Sequence, residues 1–223
     1  MQYLAPCYYN GIAYSKPVGS IMLADFKAVR PQWMASVPRI WESVRDGIYR
    51  NIRQHGGLKK TLFNFFVSVG TAHAYMRNMT LGLLPNFHGR IRVLDTILGF
   101  IPWILLSPLK ALGNLLVFNK LKALLGGRFK AGISGGGALP AQVDKFFSAV
   151  GITLLEGYGL TETAPVIACR RMSNPRPGCV GQIILDTEVK IVDDQGHSLP
   201  PGHQGLIMVR GGQVMKGYYK KPE

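Results

Sequence analysis

The sequence predicts an α/β protein with a helical first half, a βαβ unit and then a β-meander. Apolar residues recur at helical spacing in two long stretches before residue 80. Beyond residue 128, short apolar segments alternate with glycine-rich turns and one helix, and the last part of the chain alternates β-branched segments with turns. We therefore divide the chain into a mainly helical segment, 1–127, a βαβ unit, 128–177, and a β-rich segment, 178–223.

Two amphipathic helices are predicted in the first half. From residue 36 to residue 54 apolar residues keep helical spacing with arginines between them, Pro38 suits the first turn, and Gly56 and Gly57 end the run. We expect the second helix, 58–79, to pack beside the first. Its predicted apolar face is formed by Leu62, Phe65, Phe66, Val69, Met76 and Met79.

The most apolar part of the chain is the uncharged run 96–109, which continues for nine more uncharged residues after Lys110. Spanning a bilayer takes roughly 20 apolar residues, and Lys110, Pro102 and Pro108 interrupt this run. The pattern predicts a buried or interfacial hairpin and not a span. Basic residues on both sides suit peripheral attachment to anionic headgroups at the inner membrane face. Core helices with a solvated basic rim are the alternative.

The βαβ unit is predicted from a strand, a glycine turn, a helix and a strand in succession. The β-prone 128–134 leads into three glycines, Pro140 opens a helix that Gly151 closes, and 152–155 is an apolar strand. Ligands of open α/β sheets gather at the carboxyl ends of the strands, where glycines let a ring or a phosphate approach the backbone. The loop 134–140 is therefore a candidate ligand site, with a tight strand-to-helix turn as the alternative.

The segment EGYGLTETAP, 156–165, is the second candidate site. Thr161, Glu162 and Thr163 are costly in a buried loop unless something binds them. A carboxylate beside hydroxyls is also the oxygen set that Mg²⁺ bridged to phosphate prefers. Tyr158 stands between two glycines and offers a ring face for stacking a base. An ST-turn with a capping glutamate is the structural alternative.

The last part of the chain is predicted to be a three-stranded meander. The run 181–194 contains two β-branched segments, and the DQG sequence at 194–196 marks a turn. LIMVRG, 206–211, is the third predicted strand. Few helix signals remain in this part.

Charge is unevenly distributed along the chain. The 223 residues include 26 Lys and Arg against 12 Asp and Glu, and 17 of the basic residues but only 4 acidic ones lie before residue 131. A hydrophobic share of 47% excludes a disordered polycation. The basic half should therefore be folded and attracted to an anionic surface. Its charges lie along helices, without an aromatic RNA-binding platform or a helix-turn-helix, so we expect no nucleic acid partner.

Cysteine usage and the first residues indicate a cytoplasmic protein. Cys7, Cys169 and Cys179 are too few and too scattered for a disulfide framework, which favours a reducing compartment. The five histidines form no cluster with metal-ligand spacing. The first residues lack the basic start, apolar core and cleavage site of a signal peptide.

Several ordered motifs resemble those of one known family. YGLTETAP, 158–165, resembles the signature of the AMP-forming acyl-adenylating ligases, which include fatty acyl-CoA synthetases, luciferases and peptide-synthetase adenylation domains. GISGGGALP matches the preceding segment with the family's spacing, and GHQGLIMVRGGQVMKGYYKKPE resembles the later β-subdomain. VRPQWMASVPRIWESV and the long insert before the glycines favour the long-chain fatty acid branch. The resemblance covers residues 14–223 and implies part of the large N-terminal domain of such a ligase.

The resemblance implies a role for each matching residue. The adenine would lie between Gly136–Gly137 and Tyr158, Thr161 would contact a phosphate, and Glu162 would hold Mg²⁺. Thr161 and Glu162 are thus the implied catalytic residues. The implied nucleotide-binding residues are Gly135, Gly136, Gly137, Glu156, Gly157, Tyr158, Gly159 and Thr161.

The resemblance also implies a two-step ligation. A fatty acid and ATP would give acyl-AMP and pyrophosphate, and coenzyme A would then displace AMP, with an acyl carrier protein as the alternative acceptor. The family's phosphate loop is expected upstream of residue 1, and its ribose-binding aspartate, hinge and small lid domain downstream of residue 223. We therefore expect an internal fragment that is inactive by itself. A truncated relic and a basic membrane-binding module are the remaining alternatives.

Overall fold

A computed structural model describes residues 11–15, 19–86, 89 and 91–221, and Cys7 lies outside them. The described α-helices are α1 (Gly19–Val29), α2 (Pro38–His55), α3 (Gly57–Thr80), α4 (Arg92–Gly113), α5 (Asn119–Leu124) and α6 (Ala141–Val150). The described strands are β1 (Trp33–Ser36), β2 (Ala131–Ser134), β3 (Thr153–Tyr158), β4 (Ala168–Cys169), β5 (Gln182–Ile183), β6 (Thr187–Val192) and β7 (Leu206–Gly211).

The main sheet has five strands in the order β1-β2-β3-β4-β5. β1, β2 and β3 are parallel, whereas β4 and β5 are antiparallel to their neighbours. Because α6 connects β2 to β3, the predicted βαβ unit is confirmed. The sequence pattern does not indicate β1, since this strand has only four residues and directly precedes α2. Its pairing with β2 brings Ser36 beside Ser134.

The hydrophobic core lies between α6 and the helices α2 and α3. Trp41 of α2 is fully buried, and its ring meets that of Phe147 edge-on at 5.6 Å between centroids. The large apolar residues of α6 recur at helical spacing in the sequence and form its buried face. This face consists of Val143, Phe146, Phe147 and Val150, which are all buried.

The buried face of α3 agrees with the predicted one in part, because Phe66 and Val69 are buried as predicted. Phe63 and Phe66 are buried, whereas Leu62 and Phe65 are 39% and 49% exposed. The Phe63 ring contacts Tyr49 of α2 edge-on at 5.2 Å between centroids, which confirms that α2 and α3 pack side by side. Because α3 contacts α2, α4 and α6 together, its buried side is not the single stripe that a surface helix would show.

The predicted hairpin within the apolar run is wrong, because the run forms one continuous helix. α4 passes without a break into a π-helical segment, Asn114–Phe118, and then into α5. Pro102 and Pro108 lie inside α4. A proline in a helix loses one hydrogen bond and usually kinks or ends it. Here α4 packs on α3 on both sides of the prolines, and this tertiary contact outweighs the local preference.

A helical hairpin does exist, but α3 and α4 form it. Gly99, in the first half of α4, lies against Thr80 at the end of α3, and a Cβ there would be 2.6 Å from the Thr80 Oγ1. Gly113, at the end of α4, lies against Phe66. The two helices therefore run antiparallel, and α4 lies along the protein body and does not project from it.

The outward face of α4 is apolar and exposed, which argues against the alternative of a core helix. Residues 92–124 form a helix of 33 residues that is, by length and composition, long and apolar enough to cross a membrane. Within its most apolar stretch of 18 residues, 11% of the residues are buried. The exposed large apolar side chains in and beside it are Ile91, Val93, Leu94, Ile97, Leu98, Phe100, Ile101, Ile104, Leu105, Leu109, Leu112, Leu115 and Leu116.

Lys110 fastens α4 to α6. Its buried Nζ donates to the Ala149 carbonyl at 2.5 Å and to Asn114 Oδ1 at 3.0 Å, and it lies 3.8 Å from the ring centroid of Phe118. Ala149 belongs to the last turn of α6, where the helix dipole is negative. Burial lowers the pKa of Lys110 to about 8, and the nearby charge of Lys122 adds to this effect.

The β-rich segment is divided between two sheets. β6 and β7 form a separate antiparallel pair, and the predicted turn at 194–196 follows β6. The first of the three predicted strands, β5, pairs with β4 at the edge of the main sheet. The predicted three-stranded meander is therefore wrong in its first strand. β5 has only two residues, so its neighbours and not its own pattern decide its partner.

Candidate nucleotide site

The glycine loop and the Gly-Tyr-Gly turn lie side by side at the carboxyl ends of two parallel strands. The strand register pairs Ser134 with Glu156, so the chain leaves β2 and β3 at the same level. A Cβ on Gly135 would lie 3.8 Å from the Gly157 carbonyl oxygen. Gly135 N–H also donates to the Ser36 carbonyl of β1 at 3.2 Å. The fold thus brings together two motifs that are separated in the chain by α6.

Gly136 and Gly137 belong to the exposed part of the glycine loop. Gly136 has φ +79°, in the left-handed region that favours glycine. Both residues lie beside the start of α2, because Cβ atoms on them would be 3.8 Å from Val37 and 3.7 Å from Pro38. The loop therefore presents bare backbone at the surface, which a flat ring or a phosphate can approach closely.

The Glu156 side chain points into the protein. It is buried, and its Oε1 accepts the Leu139 N–H at 2.9 Å while its Oε2 accepts from Arg170 Nη2 at 2.7 Å. Glu156 therefore ties the end of the glycine loop to β3 through its side chain. The implied contact of the nucleotide with the backbone around Glu156 and Gly157 stays a prediction.

Arg170 is the centre of a buried ion network that sequence reasoning missed. Its guanidinium contacts Asp144 at 2.8 Å and Glu156 at 2.7 Å, and its Nε donates to the Cys179 carbonyl at 2.6 Å. All three charged side chains are buried. One arginine therefore joins α6, β3 and the segment after β4. The only sign of it in the sequence is Asp144 beside the apolar face of a predicted helix.

The loop after β3 folds back tightly on itself. A Cβ on Gly159 would lie 1.7 Å from the Pro165 carbonyl oxygen, so the two ends of the loop are in contact. A 3₁₀ turn, Thr161–Thr163, forms its tip. The Thr163 hydroxyl accepts the Leu160 N–H at 3.1 Å and donates to the Leu160 carbonyl at 3.0 Å. Both bonds run from Thr163 back to the residue three positions earlier, as in a capping box, whereas an ST-turn bonds to the backbone two residues further on, so the described contacts do not form the ST-turn with a capping glutamate that was the structural alternative.

Thr161 and Glu162 lie at the tip of this loop, and both have side-chain oxygens that a ligand could contact. Thr161 is exposed, and its hydroxyl has no hydrogen-bond partner within the described part of the chain. The Tyr218 hydroxyl donates a short hydrogen bond to Glu162 Oε1, and this bond lowers the pKa of Glu162. The Met215 N–H donates to the Glu162 carbonyl at 2.8 Å. The loop therefore presents an anionic carboxylate next to a free hydroxyl.

These donors fit Mg²⁺ that is shared with phosphates, and they do not form a protein-only metal cage. Among the residues that the structure describes, no group of three or more His, Cys, Asp or Glu could hold a metal ion. Glu162 offers one carboxylate, with Oε2 not engaged in any described hydrogen bond, and Thr161 adds a hydroxyl. Mg²⁺ in phosphate-transferring enzymes is usually held by one or two carboxylates together with substrate phosphates.

The motif residues form an open surface and not an enclosed cavity. Tyr158 is half-buried at the end of β3, where its carbonyl accepts the Ile167 N–H at 2.8 Å. A surface cleft of about 330 Å³ lies elsewhere, beside Leu83, Arg92 and Arg176. None of the predicted nucleotide-site residues lines that cleft, so we give it no part in the site.

The chain has bare glycine backbone and an outward carboxylate and hydroxyl on two loops at the carboxyl ends of neighbouring parallel strands. This arrangement is typical of α/β nucleotide-binding proteins. A family model described as "AMP-binding enzyme" matches residues 7–219. The chain therefore belongs to the AMP-binding enzyme family, which confirms the resemblance seen in its motifs.

Relatives of this chain include three named ligases or acyl-activating enzymes. Probable acyl-activating enzyme 16, chloroplastic, from Arabidopsis thaliana is 40% identical over 89% of this chain and 28% of that protein. Long-chain-fatty-acid–[acyl-carrier-protein] ligase AEE15, chloroplastic, from the same plant is 39% identical over 96% and 29%. Long-chain-fatty-acid–CoA ligase FadD15 from Mycobacterium bovis is 31% identical over 91% and 28%. The chain thus spans less than a third of the length of these relatives.

A solved structure has the same fold over nearly the whole chain. It is described as an anthranilate CoA ligase, AuaEII, in complex with anthranoyl-AMP. The TM-score is 0.51 over 94% of this chain and 27% of that one, at 16% identity. This likeness concerns the fold alone, and it confirms the predicted α/β class.

Proposed function

We propose that the protein of which this chain is a part uses ATP to join a fatty acid to a thiol. The observation that carries this proposal is that the glycine loop with Gly136 and Gly137 and the loop with Thr161 and Glu162 follow β2 and β3 at the same edge of the sheet. This arrangement supports a site that takes an adenine on one side and its phosphates on the other. Membership of the AMP-binding enzyme family and fatty acid ligases among the relatives favour a fatty acid as the substrate.

The first half-reaction is adenylation of the fatty acid. A carboxylate oxygen attacks the α-phosphorus of ATP, the bond to the bridging oxygen breaks, and pyrophosphate leaves with the electron pair, which gives acyl-AMP. The Thr161 hydroxyl would donate to a phosphate oxygen, and Glu162 would hold Mg²⁺, which would supply positive charge against the leaving pyrophosphate. The adenine is held by Tyr158 and by backbone at Gly135, Gly136, Gly137, Glu156, Gly157 and Gly159.

The second half-reaction transfers the acyl group to the thiol. The sulfur attacks the acyl carbonyl carbon and loses its proton, and AMP leaves. We propose coenzyme A as the acceptor, as in the name of the relative from Mycobacterium bovis. An acyl carrier protein is the second candidate, because the plant relative at 39% identity is named as a ligase of that acceptor. Thioester formation from labelled fatty acid and ATP with each acceptor distinguishes the two.

Replacement of Glu162 by alanine in the complete protein should lower fatty-acid-dependent ATP–pyrophosphate exchange by about 100-fold. The variant lacks the carboxylate that would hold Mg²⁺, and the positive charge of this ion would no longer stabilise the leaving pyrophosphate. Glu188→Ala is the control, since this exposed carboxylate pairs with Arg210 on the β6–β7 sheet and lies outside the candidate site. It should retain the wild-type rate. Unchanged exchange in Glu162→Ala contradicts the metal role, and a wild type without exchange favours the inactive relic.

We also propose that α4 attaches the protein to an anionic membrane surface. The run 96–109 has no charged residue, its large apolar side chains are mostly exposed, and Lys110 turns inward. Because α4 packs along α3, it would lie flat in the interface. We propose that the protein lies in the cytoplasm at the inner membrane face. The alternative location is a chloroplast, which the names of two relatives mention. Basic residues that flank the helix are Arg92, Lys120, Lys122, Arg128 and Lys130.

Joint replacement of Leu98, Ile101 and Leu105 by glutamate should weaken binding to phosphatidylglycerol vesicles by about tenfold or more, because the helix loses apolar burial and gains repulsive charge. Leu185→Glu is the control, since Leu185 is 84% exposed and lies outside α4. Cosedimentation measures binding, which should fall as salt rises. If the triple variant binds the vesicles as tightly as the wild type does, the membrane proposal is contradicted. If the wild-type protein binds duplex DNA more tightly than vesicles, the expectation of no nucleic acid partner is contradicted.

A further inference from the structure

The segment after β7 reaches back to the candidate metal site. It contacts Glu162 twice, through the Tyr218 hydroxyl on the carboxylate and through the Met215 N–H on the carbonyl. Tyr218 is separated from Glu162 by 56 positions in the chain, so local sequence does not produce this contact. Side chain and backbone of one acidic residue are therefore both fixed by a segment from another part of the fold.

The segment is itself anchored to the β6–β7 sheet. The Gln213 side-chain amide donates to the Thr187 hydroxyl at 2.6 Å, and the Val214 N–H donates to the Gly211 carbonyl at 3.1 Å. These bonds fix the chain just before Met215. The small sheet therefore sets the path of the chain up to Met215, which is bonded to Glu162 and lies three residues before Tyr218.

We propose that Tyr218 is a positioning residue that orients the Glu162 carboxylate toward Mg²⁺ on the phosphates of ATP. This inference rests on the proposed function, in which Glu162 holds the metal. Tyr218 bonds to one oxygen, Oε1, so the hydrogen bond restricts the orientation of the carboxylate and leaves Oε2 for the ion. Hydrogen bonds of this kind to metal-binding carboxylates orient them, and their loss typically costs 10–100-fold in metal affinity.

The adjacent tyrosine offers a matched control. Tyr219 is 87% exposed against 58% for Tyr218, and its ring faces the Lys220 ammonium at 5.3 Å and not Glu162. Tyr218→Phe and Tyr219→Phe each remove one hydroxyl from neighbouring positions. Only the first removes the donor to Glu162. Thermal unfolding of both variants should match the wild type, because both hydroxyls lie at exposed positions.

The test measures Mn²⁺ bound with ATP by electron paramagnetic resonance, in the complete protein without fatty acid. Tyr218→Phe should raise the Mn²⁺ concentration for half-saturation by about tenfold, while Tyr219→Phe leaves it unchanged. In pyrophosphate exchange, Tyr218→Phe should raise the Mg²⁺ requirement more than it lowers the rate at saturating Mg²⁺. Unchanged or tighter Mn²⁺ binding in Tyr218→Phe would overturn the inference.

Glu162→Ala in the same binding assay separates this inference from the proposal beneath it. If Glu162→Ala weakens Mn²⁺ binding and Tyr218→Phe does not, the metal role of Glu162 stands and the positioning role of Tyr218 fails. If Glu162→Ala itself binds Mn²⁺ with ATP as the wild type does, both fail. Weaker binding in both variants supports both.

Discussion

Replacement of Arg170 by methionine is expected to lower the free energy of unfolding by about 3–5 kcal/mol, because it removes one partner of a buried ion network. Asp144 and Glu156 would then lose their charged partner inside the protein, and the Cys179 carbonyl would lose a donor. The arginine stem is replaced by a side chain of similar length, so the loss of packing should be small. Urea unfolding followed by circular dichroism measures the change.

The neighbouring residue is the control for this prediction. Arg171 is exposed, so Arg171→Met should change stability by no more than about 0.5 kcal/mol. A loss below about 1 kcal/mol for Arg170→Met would show that the network contributes little beyond its own desolvation cost. Because Glu156 also accepts the Leu139 N–H, we expect the glycine loop to become easier to cleave with protease in Arg170→Met.

Replacement of Gly159 by alanine is expected to lower ATP–pyrophosphate exchange by about 100-fold while the protein still folds. A Cβ at this position would lie 1.7 Å from the Pro165 carbonyl oxygen, which belongs to the backbone and cannot turn away like a side chain. The loop that holds Thr161 and Glu162 must therefore shift, and misplacement of reacting groups by about 1 Å can cost two orders of magnitude in rate.

Gly212→Ala is the control for the loop prediction, because a Cβ on Gly212 would meet nothing within 4 Å. Far-ultraviolet circular dichroism checks that both variants fold, and exchange assays compare their rates. Wild-type exchange in Gly159→Ala would show that the loop absorbs the added methyl group without moving its functional residues. Equal losses in both variants would indicate an unspecific effect of added methyl groups.

The βαβ unit could be predicted from sequence because its determinants are local. Pro140 and Gly151 mark the ends of α6, and the apolar residues between them keep one helical period. The glycine loop and the Thr161–Glu162 loop are both recognisable as candidate sites from their own residues, because glycines, hydroxyls and a carboxylate cluster within each short segment. Parallel pairing of β2 and β3 then brings the two loops together without further information from the sequence.

The parts that sequence reasoning missed depend on contacts between distant residues. Whether a proline breaks α4 depends on its packing against α3, and the partner of β5 depends on β4. Arg170 and Arg171 are indistinguishable in sequence, yet one is buried among carboxylates and the other is exposed. Tyr218 was part of a matched motif, but its approach to Glu162 follows from the path of the chain after β7.

The bond between Lys110 and Ala149 bears on how such a fold can change in length during evolution. The α3–α4 hairpin stands between β1 and β2 in the chain, where an insertion would ordinarily be an accessory that a lineage gains or loses freely. Here its lysine satisfies a carbonyl at the end of α6, and Gly70 of α3 lies against the same residue. A protein without this hairpin would need another donor for the Ala149 carbonyl and other residues to pack against the end of α6. Loss of the hairpin alone would therefore leave the Ala149 carbonyl without this donor and α6 without this cover.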